Sequence, residues 1–181
     1  MKKLSIILLL ATVIVGGCRT APRSEGRRAE LDAGVTEAIS VFKTRTPGIE
    51  LYFNESVGYA VLPRITKGAF WVGGAFGRGQ VYRAEDMIGY CSMTQGTLGF
   101  SFGGQFFREI IFFQNEEALQ RFKNDFVFTA EASAVAAREG VITKTNYRNG
   151  MAVFILTDAG LMVDASVGGQ KFNFVPVESV R

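Results

Sequence analysis

The chain has no histidine among its 181 residues. That absence removes the commonest general base, the commonest transition-metal ligand and the easiest pH switch together, and most enzyme classes recede with it. Cysteine is nearly as scarce: Cys18 and Cys91 are the only two, too few for a disulfide framework. The leading apolar run, Leu4 to Val15, has 12 residues, whereas a helix that crosses a bilayer needs roughly 20. Carboxylates do not cluster by spacing. Glu85/Asp86 and Glu116/Glu117 are adjacent pairs, expected on the surface, and nothing matches a calcium loop or a zinc site. No metal and no cofactor are expected.

What is present begins at the N-terminus. A basic start, Met1-Lys2-Lys3, leads into the apolar run and closes on Val15-Gly16-Gly17-Cys18, which resembles the lipobox of a bacterial lipoprotein. The run therefore reads as a signal sequence and not a span. The resemblance implies that the Cys18 thiol receives a diacylglycerol, that the leader is cut after Gly17, and that the new amino group is acylated as well. At roughly 0.8 kcal/mol per buried methylene, two or three acyl chains hold a protein on a membrane almost permanently. Position 19 is Arg and not Asp, so the common inner-membrane retention signal is missing and outer-membrane delivery, facing the periplasm, is expected. The alternative is an ordinary secretory leader with a chance cysteine. Removing residues 1–17 leaves 164 residues and lowers the formal charge from +3 to +1. That length suits one domain with one core, and that charge does not suggest nucleic acid. Cys91, in an apolar stretch, reads as core. With Cys18 acylated it has no partner for an internal disulfide, even in an oxidising compartment.

From Arg19 to Arg28 the chain is polar, with Pro22, Gly26 and four arginines. This is the composition of a tether, whose arginines could also touch anionic headgroups. Boundaries are accordingly set at 1–17 for the leader, 18–28 for a lipidated tether and 29–181 for the domain. From Ala29 to Thr46, Leu31, Val35, Ala38, Ile39 and Phe42 form one helical stripe that Pro47 ends. The stripe predicts packing on the domain. A membrane-surface helix is the alternative, although its polar face mixes Glu30, Asp32 and Glu37 with Lys43 and Arg45. Ile49 to Val57 predicts a helical turn or two.

Strands follow. Gly58 to Leu62 reads as extended and stops at Pro63. Phe70 to Phe76 alternates, Gly77-Arg78-Gly79 reads as a turn, and Met87–Thr94 and Thr97–Phe113 flank Gly96. Asn115 is placed to cap a helix through Lys123, with Glu116 and Glu117 at its positive end and Leu119 and Phe122 inward. Alanine-rich Glu131–Glu139 predicts a further helical piece. Met151–Leu156 and Leu161–Val167 predict a hairpin around Thr157-Asp158-Ala159-Gly160, and Lys171–Val175 a last strand. Glycines inside strands, at Gly73, Gly74, Gly99, Gly103 and Gly104, suit bulges and coiling. The expected fold is α+β: a strongly curved, glycine-rich antiparallel sheet, partly barrel-like, with packed helices.

Gly99-Phe100-Ser101-Phe102-Gly103 fits the Gly-x-Ser-x-Gly pattern of serine hydrolases. There is no histidine to serve as base, and the flanks continue as strand. A serine–lysine hydrolase using Lys67 or Lys171 is the remote alternative. Gly73-Gly74-Ala75-Phe76-Gly77-Arg78-Gly79 lacks the Lys-Ser/Thr ending of a phosphate loop and precedes no helix. Sixteen phenylalanines and Trp71 mostly supply core, with a few able to line an apolar groove. Arg64, Lys67, Arg78, Arg83 and Arg108 accompany the glycine-rich strands. If the sheet gathers several on one rim they form a phosphate-recognition patch, and otherwise they are scattered solvated charges.

The blocks Gly58-Tyr59-Ala60-Val61-Leu62-Pro63, Lys67-Gly68-Ala69-Phe70-Trp71-Val72-Gly73-Gly74 and Gly77-Arg78-Gly79 resemble the SYLF domain family. The likeness continues through Gly103-Gly104-Gln105, Asn115 to Phe122, Ala130 to Ala136, Gly160-Leu161 and Gly168-Gly169, covering roughly Ala29 to Val175. It implies a non-enzymatic lipid-binding module. Eukaryotic members bind phosphoinositides through basic and amphipathic surfaces, and fungal relatives bind actin. Phe154-Ile155-Leu156-Thr157-Asp158 departs from the Tyr-Ser type sequence usual there, and SH3 or actin-binding additions are absent. Actin is not a periplasmic partner, so anionic phospholipid or lipopolysaccharide phosphate is the corresponding target. Arg64, Lys67, Arg78 and Arg83 are the headgroup candidates and Cys18 the lipidation site. A structural or protein-interaction lipoprotein, with an envelope protein as partner, is the alternative.

Overall fold

The computed structural model describes residues 20–69, 72–98, 105–124, 127–128, 147–157, 160–161 and 170–180. Two helices, α1 (Glu25–Arg45) and α2 (Glu50–Glu55), precede four strands, β1 (Gly58–Ala69), β2 (Val72–Arg83), β3 (Asp86–Leu98) and β4 (Gln105–Phe113). Then come α3 (Glu116–Lys123), β5 (Val127–Phe128), β6 (Met151–Thr157), β7 (Gly160–Leu161) and β8 (Gln170–Pro176), ending in a 3-10 turn at Val177–Val180. The strands form one antiparallel sheet in the order β5-β8-β3-β2-β1-β4-β6-β7. This is the expected α+β architecture.

The sheet is rolled. Strands β8 and β4 are separated by three others, about 19 Å apart in a flat sheet at ~4.8 Å per strand. Yet Gln170 on β8 donates to the Glu109 carboxylate on β4 at 3.4 Å. Among the described residues the roll stays open, with β5 and β7 at its edges. Its inner face carries Leu62, Ile65, Val81, Cys91, Met93, Ile111 and Phe113, and α3 sits against that face through Leu119 and Phe122. The outer face is covered by α1 and α2, whose Val35, Ala38, Phe42, Ile49 and Tyr52 pack on Val61, Ile110, Phe112, Phe154 and Leu156. Cys91 is fully buried, and burial, aided by the Glu109 charge, pushes its thiol up.

Several local expectations change. Helix α1 starts at Glu25, because Ser24 caps it by accepting from the Arg27 amide, so the boundary at 28/29 falls inside the helix. The segment from Thr20 onward is packed: Thr20 is buried, with its hydroxyl 3.0 Å from that of Ser92, and Arg28 donates to the Val180 carbonyl at 2.7 Å. The strand expected to stop at Pro63 continues through it, since a bulge between Val61 and Arg64 leaves no ladder bond for the missing N–H to break. No turn occurs at Gly77-Arg78-Gly79 or at Gly96; β2 and β3 run through both, and the chain turns at Ala84-Glu85. A Cβ on Gly79 would stand well inside contact distance of the Val61 carbonyl oxygen and 2.9 Å from Leu62 Cγ. Glycine is thus needed there for close strand approach. Helix α3 is as expected, Asn115 accepting from the Ala118 amide at 2.9 Å. The hairpin joining β6 and β7 is present in its first pairs, Leu156↔Leu161 and Thr157↔Gly160. The Glu131–Glu139 expectation lies outside the described residues.

A half-buried tyrosine reports on this packing. Tyr82 stacks on Tyr59 at 5.0 Å and donates to the Gln80 side chain at 2.7 Å. Burial first, then the ionised forms of Tyr59, Asp32 and Tyr90, push its hydroxyl up to about 12. Because the folded value lies above the ordinary 10, the contribution is intact below pH 10 and is lost as pH climbs from 10 to about 12. Urea midpoints followed across that window are expected to fall, and Tyr82→Phe is expected to flatten part of the fall. Parallel declines in both proteins would reject the assignment to Tyr82.

Candidate functional site

The bulge at Pro63 decides which side chains face outward. Before it, Ala60 and Leu62 point to the inner core; beyond it, Ile65 does. The switch in parity puts Arg64 and Thr66 on the outer face, where they meet outward residues of both neighbours. Arg64 is the Cα partner of Arg78 on β2, and Thr66 of Phe76 on β2 and Phe106 on β4. Over this part of the sheet α1 does not close down. Between its N-terminal half and the strands lies a groove of about 830 Å³, lined on the helix side by Arg27, Glu30, Leu31, Gly34 and Glu37, with Pro22 at one end. On the sheet side it is lined by Arg64, Thr66, Phe76, Arg78, Phe106 and Arg108.

Four arginines oppose two glutamates in this lining, so the groove is net positive. Glu37 takes up part of the charge by accepting from Arg108 at 3.0 Å, a partly exposed pair worth about 0–1 kcal/mol. The Arg64 guanidinium lies 4.0 Å from the Phe106 ring centroid, and that of Arg78 5.1 Å from the Phe76 centroid. Each such contact contributes about 0.5–1 kcal/mol at an exposed site. A guanidinium can bind two oxygens of a phosphate or carboxylate at once. Phe106, 44% exposed, is the exposed large hydrophobic side chain among the described residues. A basic edge beside an exposed ring is suited to an amphiphile with an anionic head.

Of the residues singled out from sequence, Arg64 and Arg78 come together here. Lys67 lies three positions along β1, its backbone opposite Ala75 and Gln105. Arg83 does not belong: it sits at the far end of β2 opposite Gly58 and Asp86, pairing with Glu116 at the start of α3. That pair holds the Glu116 carboxyl below, and the Arg83 guanidinium above, its ordinary value. Cys18 and Ser101 lie outside the described residues. Two further arginines line the groove: Arg108, one of the five basic residues grouped with the glycine-rich strands, and Arg27, grouped with the tether. Arg108 shares a strand face with Phe106, as i, i+2 alternation predicts. Among the described residues no three His, Cys, Asp or Glu side chains gather to hold a metal, and no helix is long and apolar enough to cross a membrane.

No family model matches the chain. It is 28% identical over 139 residues to a protein named Beta cell expansion factor A from Aeromonas veronii, a match covering 76% of this chain and 52% of that protein. The chain thus spans about half the length of the curated relative it matches.

Proposed function

We propose that this chain is an acyl-anchored envelope lipoprotein of SYLF type that binds anionic phospholipid, or phosphate on another envelope lipid, without catalysing a reaction. The observation that carries the proposal is the pairing of Arg64 with Arg78 across β1 and β2, each guanidinium over a phenylalanine ring in one groove. The lipobox-like Val15-Gly16-Gly17-Cys18 supports membrane anchoring at Cys18, and Arg19 supports an outer-membrane address facing the periplasm. A sequence without histidine favours a binder over a hydrolase. The SYLF assignment draws on the glycine-rich blocks in β1 and β2 and on the helix from Asn115 to Phe122.

The mature chain carrying Cys18→Ser is expected to sediment with phosphatidylglycerol-containing vesicles, to ignore pure phosphatidylcholine, and to be released by salt. With about 1 kcal/mol per arginine near an anionic surface, Arg64→Gln together with Arg78→Gln is expected to weaken binding roughly 30-fold. Arg83→Gln is expected to change little. Equal binding to both vesicle types would overturn the proposal. The second reading, a protein-interaction lipoprotein, draws on the exposed ring of Phe106 and predicts capture of an envelope protein with indifference to lipid charge.

A further inference from the structure

We infer that the groove faces the leaflet in which Cys18 is anchored, so that the headgroups it binds belong to that same leaflet and not to a second membrane. The inference rests on the proposed acylation and headgroup binding, and adds to them a fixed orientation. A free tether from residue 18 to 28 would let the domain turn either way, because a flexible chain of that length has a root-mean-square reach of about 18 Å. The packing described above shortens it. Thr20 is buried, with its hydroxyl 3.0 Å from that of Ser92. Ser92 is the Cα partner of Arg78, and Pro22, two residues beyond Thr20, lines the groove.

The distances then follow from covalent geometry. Two residues extend at most about 7 Å, so the Cα of Cys18 lies within that radius of the Cα of Thr20. The headgroup layer of one leaflet is of similar thickness, about 5–8 Å. An acylated Cys18 therefore holds Thr20, and with it Ser92 and the neighbouring Arg78 side of the groove, at the headgroup layer. Arg64 and the exposed ring of Phe106 lie on the same outer face. Glu116 and Glu117 are carried by α3 near the end of β2 marked by Arg83, away from the groove, and are turned from the bilayer. Charge agrees with this pose: the net positive groove meets the anionic surface and the acidic start of α3 does not.

The test uses the full lipidated protein in vesicles of phosphatidylcholine and phosphatidylglycerol that contain headgroup spin labels. A fluorophore is placed at Thr66→Cys in the groove or at Glu117→Cys on α3, the buried Cys91 remaining unlabelled. Quenching at position 66 is expected to exceed that at 117 severalfold. A Gly/Ser segment of about twenty residues inserted between Arg19 and Thr20 is expected to remove the difference in pure phosphatidylcholine, where only the short tether imposes orientation. Equal quenching at both positions in the uninserted protein, or stronger quenching at 117, would overturn the inference. If quenching is equal at both positions while the soluble Cys18→Ser chain still binds anionic vesicles, headgroup binding stands and only the orientation falls. If the soluble chain does not bind them, both fall.

Discussion

Gly79→Val is expected to be severely destabilising, with a urea midpoint far below that of the unaltered chain. At this position β2 runs opposite the Leu62-Pro63 bulge of β1, and the atoms a side chain would strike are the Val61 backbone carbonyl and Leu62 Cγ. Neither is the free end of a flexible chain. Relief requires the two central strands to part, which strains the ladder on both sides of β1 and β2. Overpacking alone costs about 1–3 kcal/mol, and with backbone separation the total is expected at about 4 kcal/mol or more, a large share of the 5–15 kcal/mol by which domains are stable. Gly34→Ala is the control. A Cβ there meets Pro63 at 3.5 Å, an ordinary contact, and replacing a mid-helix glycine is expected to add about 0.5–1 kcal/mol. Urea denaturation of both variants reads the contrast. A Gly79→Val protein with an unchanged midpoint would refute the close-approach account.

Phe122→Ala has the next largest expected effect. Phe122 is fully buried, with ring centroids 5.0 Å from Phe113 on β4 and 5.2 Å from Phe172 on β8. It is the side chain through which α3 joins two strands that the sheet order keeps apart. Truncation removes the transfer free energy of the ring and leaves a cavity between walls that cannot collapse independently, a loss expected at about 3–5 kcal/mol. Phe122→Leu, which keeps most of the volume, is expected to lose less than half of that. A loss below about 1 kcal/mol for the alanine variant would mean that α3 rests loosely on the roll.

The elements legible in the sequence were those whose signals are local. Asn115, Glu116 and Glu117 announce a helix start whatever the surroundings, and the stripe from Leu31 to Phe42 fixes α1. The glycines misled. A glycine run signals a turn when read along one strand, but Gly77 and Gly79 are small because β1 presses against them, a fact that belongs to the neighbour. Conversely, the turn that brings in β6 uses Asn149-Gly150, both at positive φ, the dipeptide most typical of tight hairpins, which the sequence reading passed over.

The same distinction separates the candidate arginines. Arg78 and Arg83 lie five positions apart on β2 and look equivalent in composition. One stands beside Phe76 in the groove, while the other reaches Glu116 at the opposite end of the strand. Only the strand register tells them apart.

The outer layer of the core has a consequence for how the chain assembles. It unites Val35, Ala38 and Phe42, near the beginning, with Phe154 and Leu156, near the end. The first helix is made early but finds its complete apolar partner only when β6 pairs with β4. Closing so long a loop is repaid only after the pairing forms, so folding of this topology is expected to be slow and to need residues from both ends of the domain. A growing chain cut short anywhere before Met151 leaves Val35, Ala38 and Phe42 with half their seat missing.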